Sequence, residues 1–352
     1  MASDATITVT ARRGRAGEGA LDAAPRLLPA RAREAVPEAG RPPLFRRYAG
    51  ETYYGLPALK PSPYGWLVGL YIFTGGLAGA AQIIATVADL LGPPAAAGLV
   101  RRGRLVALAG AVIGGPLLII DLHRPGRFLN MLRIFRKTSP MSIGTYILMS
   151  FGAFSALAAL GSLPGLRVVG RIAGVPAALA GAGMTSYTAA LLAATSTPLW
   201  AAQPRLLGAR FASSAMATGA AALSLGQRLS GEAETCSALD SIAMTASGAE
   251  LALSLAGEGR LPPQSSVASL GIAALCEAAP LVLYGLSRGP GASARRLSLL
   301  ASVAVLAGGL LMRVAILKAG NASAKRPTDY FRMTQPRGVR GGASARRQAW
   351  AS

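Results

Sequence analysis

Apolar and polar residues are segregated along this chain into long blocks, not into the short alternation of a strand or the narrow stripe of a surface helix. Eight apolar windows stand at about residues 64–91, 105–122, 141–161, 169–192, 205–226, 236–256, 265–287 and 296–317. About 20 apolar residues in a helix cross a hydrocarbon core of about 30 Å, so each window predicts a transmembrane α-helix. The first is long enough to tilt, and Tyr64, Trp66 and Tyr71 at its start suit the interfacial aromatic belt. The fifth and sixth carry Ala, Ser and Thr where the others carry Leu. Small residues let helices approach closely, as does Gly75-x-x-x-Gly79 in the first window. Ser139-Pro140 ahead of the third window predicts an N-cap followed by proline at the first helical position, and Pro61 and Pro63 serve similarly ahead of the first.

The expected fold is therefore an all-α integral membrane protein, its eight-helix domain spanning residues 51–320. Residues 1–50, rich in Ala, Arg, Gly and Pro without an apolar period, are expected to be a disordered basic tail, and residues 321–352 a basic C-terminal tail. Arg12-Arg13 is followed by no hydrophobic region, so neither a Sec nor a twin-arginine signal is read. The first span is then expected to act as an uncleaved anchor.

Composition agrees with this topology. The 352 residues are 52% hydrophobic and 14% charged, well under the roughly 25% charged residues of a soluble domain. The net charge of +21 would suit a nucleic-acid binder, but the basic residues crowd the tails and connections around the apolar windows, as membrane topology requires. With eight spans, one side of the membrane receives 26 Lys/Arg and the other 9, leaving Arg313 inside the last helix. The positive-inside rule places both termini, and the connection after the second helix, on the cytoplasmic side of a bacterial inner membrane. Two cysteines, Cys236 and Cys276, fall short of the usual four ligands of an iron–sulfur cluster, and the single histidine, His123, cannot form a bis-histidine haem site. Any metal centre serving electron transfer is expected in a partner.

The richest chemistry lies between the second and third windows, from Asp121 to Met141. A carboxylate closes the second helix, and five Lys/Arg then alternate with Phe128, Leu129, Met131, Leu132, Ile134 and Phe135, a pattern suited to the membrane surface. A charge at such depth is expensive unless paired or lining a polar site. With helices alternating in direction, Tyr71, Asp121 and Tyr187 fall near one membrane face. Two phenols and a carboxylate at one depth could hydrogen-bond a quinone carbonyl and exchange its proton. The plainer reading makes the tyrosines belt residues and pairs Asp121 with Arg124 or Arg127. Elsewhere, Glu250 and Arg313 sit at similar depth, as a structural ion pair or, with Glu277 in mid-membrane, as a proton relay. Arg124, Arg127, Arg133, Arg136 and Lys137 could attract an acidic protein surface or simply hold lipid headgroups.

Several segments together resemble the NrfD-like membrane subunits, the polysulfide reductase membrane-subunit family. They are Tyr53-Tyr-Gly-Leu-Pro-Ala-Leu-Lys-Pro61, Gly75-Gly-Leu-Ala-Gly79, Leu118-Ile-Ile-Asp-Leu-His-Arg-Pro-Gly-Arg-Phe-Leu-Asn-Met-Leu132, Ser139-Pro-Met-Ser-Ile-Gly144, Tyr187-Thr-Ala-Ala-Leu-Leu-Ala-Ala-Thr-Ser-Thr-Pro-Leu-Trp200 and Gly308-Gly-Leu-Leu-Met-Arg313. The resemblance implies a haem-free, quinone-reactive anchor of two four-helix bundles, here 64–192 with the quinone site and 205–317. It further implies electron exchange between menaquinone or ubiquinone and a ferredoxin-like iron–sulfur subunit, wired to a catalytic subunit that is often a molybdopterin enzyme. On this reading Tyr71, Asp121 and Tyr187 are the redox-site residues, with Arg124 and Arg127 beside the quinone. Some members carry a histidine near the start of the first helix, where this chain has Tyr71. Two other readings stay open: a transporter or proton channel running through Glu250, Glu277 and Arg313, and a structural anchor whose quinone site is degenerate.

Overall fold

The computed structural model describes residues 57–121, 126, 128–232, 234–258, 267–289 and 291–334, with the backbone alone at 258, 267–276, 292, 331, 332 and 334. The tail expected at 1–50, His123, Arg124 and Arg127, the side chain of Cys276, and residues 335–352 lie outside the described residues. All regular structure among the described residues is helical. In chain order the helices are α1 Trp66–Leu91, α2 Ala97–Asp121, α3 Phe128–Arg133, α4 Pro140–Leu160, α5 Arg167–Ala193, α6 Pro198–Ala201, α7 Pro204–Leu229, α8 Cys236–Glu258, α9 Val267–Leu286, α10 Ala292–Lys325 and α11 Pro327–Thr334.

Five segments are long and apolar enough to cross a membrane: Trp66–Leu91, Pro94–Asp121, Pro140–Leu160, Arg167–Ala193 and Ser293–Lys325. Helices α7 and α8 match them in length, with 26 and 23 residues, but their Ala, Ser and Thr content lowers the hydropathy. In α9 the apolar run with described side chains is Glu277–Leu286. The first turns of α2 depart from expectation: the helix starts at Ala97, not near 105. The charges there do not break it, because Arg104 is buried and donates to Asp89 at 2.8 Å while Arg102 reaches out to Glu232. Before α4, Ser139 does cap the helix, accepting from Ser142 N, with Pro140 at the first helical position.

Helix α1 is the centre of the assembly. Its apolar window is 67% buried, against 22% for α2. Glycines make this possible. A Cβ on Gly79 would lie 2.4 Å from the Gly181 carbonyl oxygen of α5, and one on Gly219 of α7 would lie 2.7 Å from the Ala80 methyl. Small residues thus bring three helix backbones together where Leu would hold them apart. The two apolar cores both draw on early and late helices: Tyr71, Phe151 and Met184 pack with Phe211, Met312 and Ile316, and Ile84 and Leu99 with Leu223, Tyr284 and Val305.

Outward, α2, α4 and α5 expose Val112, Ile113, Ile120, Met149, Phe154, Leu157, Ile172 and Leu179. Water-soluble monomers rarely leave so continuous an apolar surface, whereas hydrocarbon solvates it. Helix α10 also runs beyond the expected 317 to Lys325, and α11 follows where a tail is expected. Its end is docked: Leu59 N donates to Ala324 O at 3.1 Å, Ser62 N to Asn321 Oδ1 at 3.0 Å, and Leu199 N to Ser323 Oγ at 3.3 Å. Trp200 lies flat against Gly320 and donates its indole N–H to Ile316 O at 3.0 Å.

Candidate functional site

The antiparallel register of α1 and α2 sets the depth of each candidate residue. Gly110 faces Ala78 and Gly114 faces the Tyr71 ring. Asp121 is seven residues beyond Gly114, about 10 Å further along α2 at 1.5 Å per residue, and Tyr64, just ahead of α1, lies toward the same end. Their proximity is felt electrostatically. Burial, and after it the negative charge of Asp121, pushes the Tyr64 phenol, just ahead of α1, above its ordinary pKa. Tyr64 also packs against Trp200, ring centroids 6.3 Å apart.

One level deeper, the Tyr71 hydroxyl of α1 and the Tyr187 hydroxyl of α5 are hydrogen-bonded to each other. Tyr71 is 3% exposed and Tyr187 half-buried. Both rings occupy slots made by glycine on a neighbouring helix. A Cβ on Gly144 of α4 would sit 2.3 Å from the Tyr187 ring, and one on Gly114 of α2 would sit 3.6 Å from Tyr71. One turn before Tyr187, Met184 fills the notch at Gly75. A phenol carries one donor and acceptor capacity at the same oxygen, so this pair can bind a carbonyl oxygen and pass a proton between its members.

Above the pair, the chain after Asp121 is tied to the start of α4. Tyr146 donates to Leu132 O at 3.0 Å and meets Phe135 edge-on at 4.9 Å; Ser142 Oγ donates to Ile134 O at 3.2 Å and accepts from Arg136 N at 3.0 Å. This anchoring presents Arg133, Arg136 and Lys137 exposed on one rim beside a shallow cavity of about 220 Å³. Thus the structure brings Tyr71 and Tyr187 into contact, places Asp121 over them beside Tyr64, and leaves Arg124 and Arg127 outside the described residues. Tyr64 and Gly144 join the site without having been expected there.

A second polar cluster lies between α7, α8, α9 and α10. Arg313 is 1% exposed; it donates to Ser214 Oγ at 3.0 Å and to Gly309 O at 2.8 Å, with its guanidinium 5.6 Å from the Phe73 ring centre and 5.8 Å from that of Phe211. Glu250 is 5% exposed and lies beside the same Ser214 hydroxyl. Among the described residues the ion pair expected between Glu250 and Arg313 is not formed directly, although Glu250 is buried within electrostatic reach of Arg313. Glu277 pairs with Arg210 of α7. Sequence reasoning counts Arg210 with the connection ahead of its helix, although a charge one turn inside an apolar window is the signal that marks it.

A model of the family described as "Polysulphide reductase, NrfD" matches residues 57–257. No curated protein matches the chain. The match runs from the segment ahead of α1 through most of α8 and so includes the Tyr71–Tyr187 pair, Asp121 and the anchored rim. Matched over more than half its length, the chain belongs to the NrfD, polysulphide reductase, family.

Proposed function

We propose that the chain is the quinone-reactive membrane subunit of an oxidoreductase complex. It would exchange electrons between menaquinone or ubiquinone and a ferredoxin-like iron–sulfur subunit, which in turn serves a catalytic subunit of molybdopterin type. All eight long helices would cross the membrane as two four-helix bundles, 64–192 and 205–317, with both termini cytoplasmic. The observation that carries this reading is the direct contact of the Tyr71 and Tyr187 hydroxyls one level below Asp121 and Tyr64.

These residues fit a quinone. Paired phenols offer the hydrogen-bonding oxygens a ring carbonyl needs, and the surrounding lipid-facing side chains, Ile120 and Ile143 among them, suit an isoprenoid tail. When bound, quinone supplies a two-electron, two-proton couple. Tyr187 donates to the carbonyl, while Tyr71 fixes the orientation of Tyr187 through their shared hydrogen bond. Asp121 takes or gives the proton nearer the surface, with Tyr64 beside it. Arg133, Arg136 and Lys137 draw an acidic partner surface to the rim, where the electron leaves or arrives. With two cysteines and one histidine in the chain, its metal centres are the partner's.

The test is binding of a quinone analogue to the purified complex, native against Asp121→Asn and Tyr187→Phe. Weaker binding in either variant supports the reading. Equal binding in all three, or none in the native complex, refutes it. One observation favours a second reading, proton transfer through the membrane: a Glu250 carboxylate oxygen is buried without a hydrogen-bond partner beside Arg313, Arg210 and Glu277. A Glu250→Gln complex with normal quinone reduction but no proton movement into vesicles would establish it, and unchanged movement would dismiss it.

A further inference from the structure

The end of the bundle remote from Asp121 holds a feature that the redox reading does not use. Helix α7 finishes there, α8 begins, α9 finishes and α10 begins, and the four ends enclose a cavity of about 560 Å³, within the range of ligand sites. Its floor is polar and partly buried. Arg228 bonds to Asp240 and to Ser298 Oγ, Asp240 also accepts from Ser224 and Ser298, and Tyr284 shares a 3.1 Å bond with Ser302. The Nε of Arg228 is buried without a partner.

The wall carries Arg288 and Arg295, both exposed, and the hydroxyls of Ser237, Ser241 and Ser287. Arg288 donates to the Met244 sulfur, a weak acceptor for a guanidinium. Three arginines face one carboxylate among the described lining residues, so the cavity carries two positive charges in excess. Asp240 already neutralises Arg228, which leaves Arg288 and Arg295 to meet an incoming anion. Because these are helix ends at the limit of the apolar belt, the cavity lies at headgroup depth, and paired guanidinium groups there suit the oxygens of a phosphate ester.

We propose that this cavity binds a phosphate ester, held by Arg288 and Arg295 and hydrogen-bonded by the wall serines. Two sources share that chemistry, the headgroup of an anionic phospholipid and a soluble phosphate. Occupancy would tie the start of α10 to the turn that follows α9, since Arg295 lies on α10 and Arg288 in that turn.

Native mass spectrometry of the full chain in detergent tests this, with phosphatidylglycerol, phosphatidylcholine and inorganic phosphate each added as probes. Preferential retention of phosphatidylglycerol is expected. The Arg288→Gln/Arg295→Gln pair removes two surface arginines and should weaken binding about 30-fold, while Arg288→Lys/Arg295→Lys should keep most of it. Both positions are exposed, so the variants fold. Retention of phosphatidylglycerol unaffected by excess inorganic phosphate assigns the site to lipid, and direct binding of phosphate, lost in the glutamine pair, assigns it to the soluble ion. Equal retention of both lipids together with no binding of phosphate, or no loss in the glutamine pair, overturns the proposal. So does an equal loss in Arg167→Gln, a basic control on the same membrane face but outside the cavity.

Discussion

Replacing Gly144 with alanine isolates the contact on which the candidate site depends. The new Cβ would stand 2.3 Å from the edge of the Tyr187 ring, and ordinary contact begins at 3.4 Å, so ring or helix must yield by 1.1 Å. The ring has nowhere to go without parting from Tyr71, because its hydroxyl is bonded there and its other face lies within the first apolar core. Overpacking of this kind costs about 1–3 kcal/mol. Against it stands a gain of about 0.4–1 kcal/mol, because alanine restricts the unfolded chain more than glycine does. The net expectation is a loss of about 1–2 kcal/mol for Gly144→Ala. In a Tyr187→Ala background the obstruction is gone and the sign reverses, to a gain of about 0.4–1 kcal/mol. Thermal unfolding of the detergent-purified protein reads both values, and the double-mutant cycle separates them. Gly144→Ala costing the same with and without the Tyr187 ring would refute the packing account, whatever happened to quinone binding.

Gly79→Ala should be worse than Gly144→Ala, since its Cβ would meet the Gly181 backbone oxygen at 2.4 Å and no side chain can turn aside; the comparison of melting temperatures checks it. Arg210→Gln should lose about 3–5 kcal/mol by breaking its buried pair with Glu277, while Arg210→Met with Glu277→Met should come close to native stability in the same assay. Glu232, in the α7–α8 connection, has its carboxyl held below the usual carboxylate range by hydrogen bonds from Arg102. That small contribution is present above the unfolded pKa and fades as pH falls through the lower folded value. Melting followed from neutral to acid pH should therefore show a slightly shallower decline in Glu232→Gln than in the native protein.

Depth was the most legible property of this chain. Alternating helix direction alone puts Tyr71 and Tyr187 at one level, where their hydroxyls meet, and Glu250 within reach of Arg313, but it did not separate Asp121 from the tyrosines, and the α1–α2 register sets it about 10 Å along from the pair. Lateral neighbours were less legible, because hydropathy carries no information about which helix stands beside which. Gly144 touching Tyr187 requires the register of α4 on α5, and Arg313 bonding to Ser214 requires that of α10 on α7. Arg104 and Arg228 show the same limit. Each counts as a connection charge by sequence, yet each is drawn inward by an acid, Asp89 and Asp240 respectively. The extension of α10 to Lys325 was hidden for a related reason: its last turns are polar by composition and are kept in place by hydrogen bonds from residues ahead of α1 and α7.

The central claim is that quinone chemistry takes place against the Tyr71–Tyr187 pair below Asp121. Photolabelling tests it without relying on any substitution. A photoreactive quinone would be applied to the purified complex with its partner subunits retained, and the modified peptides of this chain identified. Label is expected on the early part of α1, the end of α2, the start of α4 or the end of α5, suppressed by excess unlabelled quinone. Suppressible label confined to α8, α9 and α10 would contradict it.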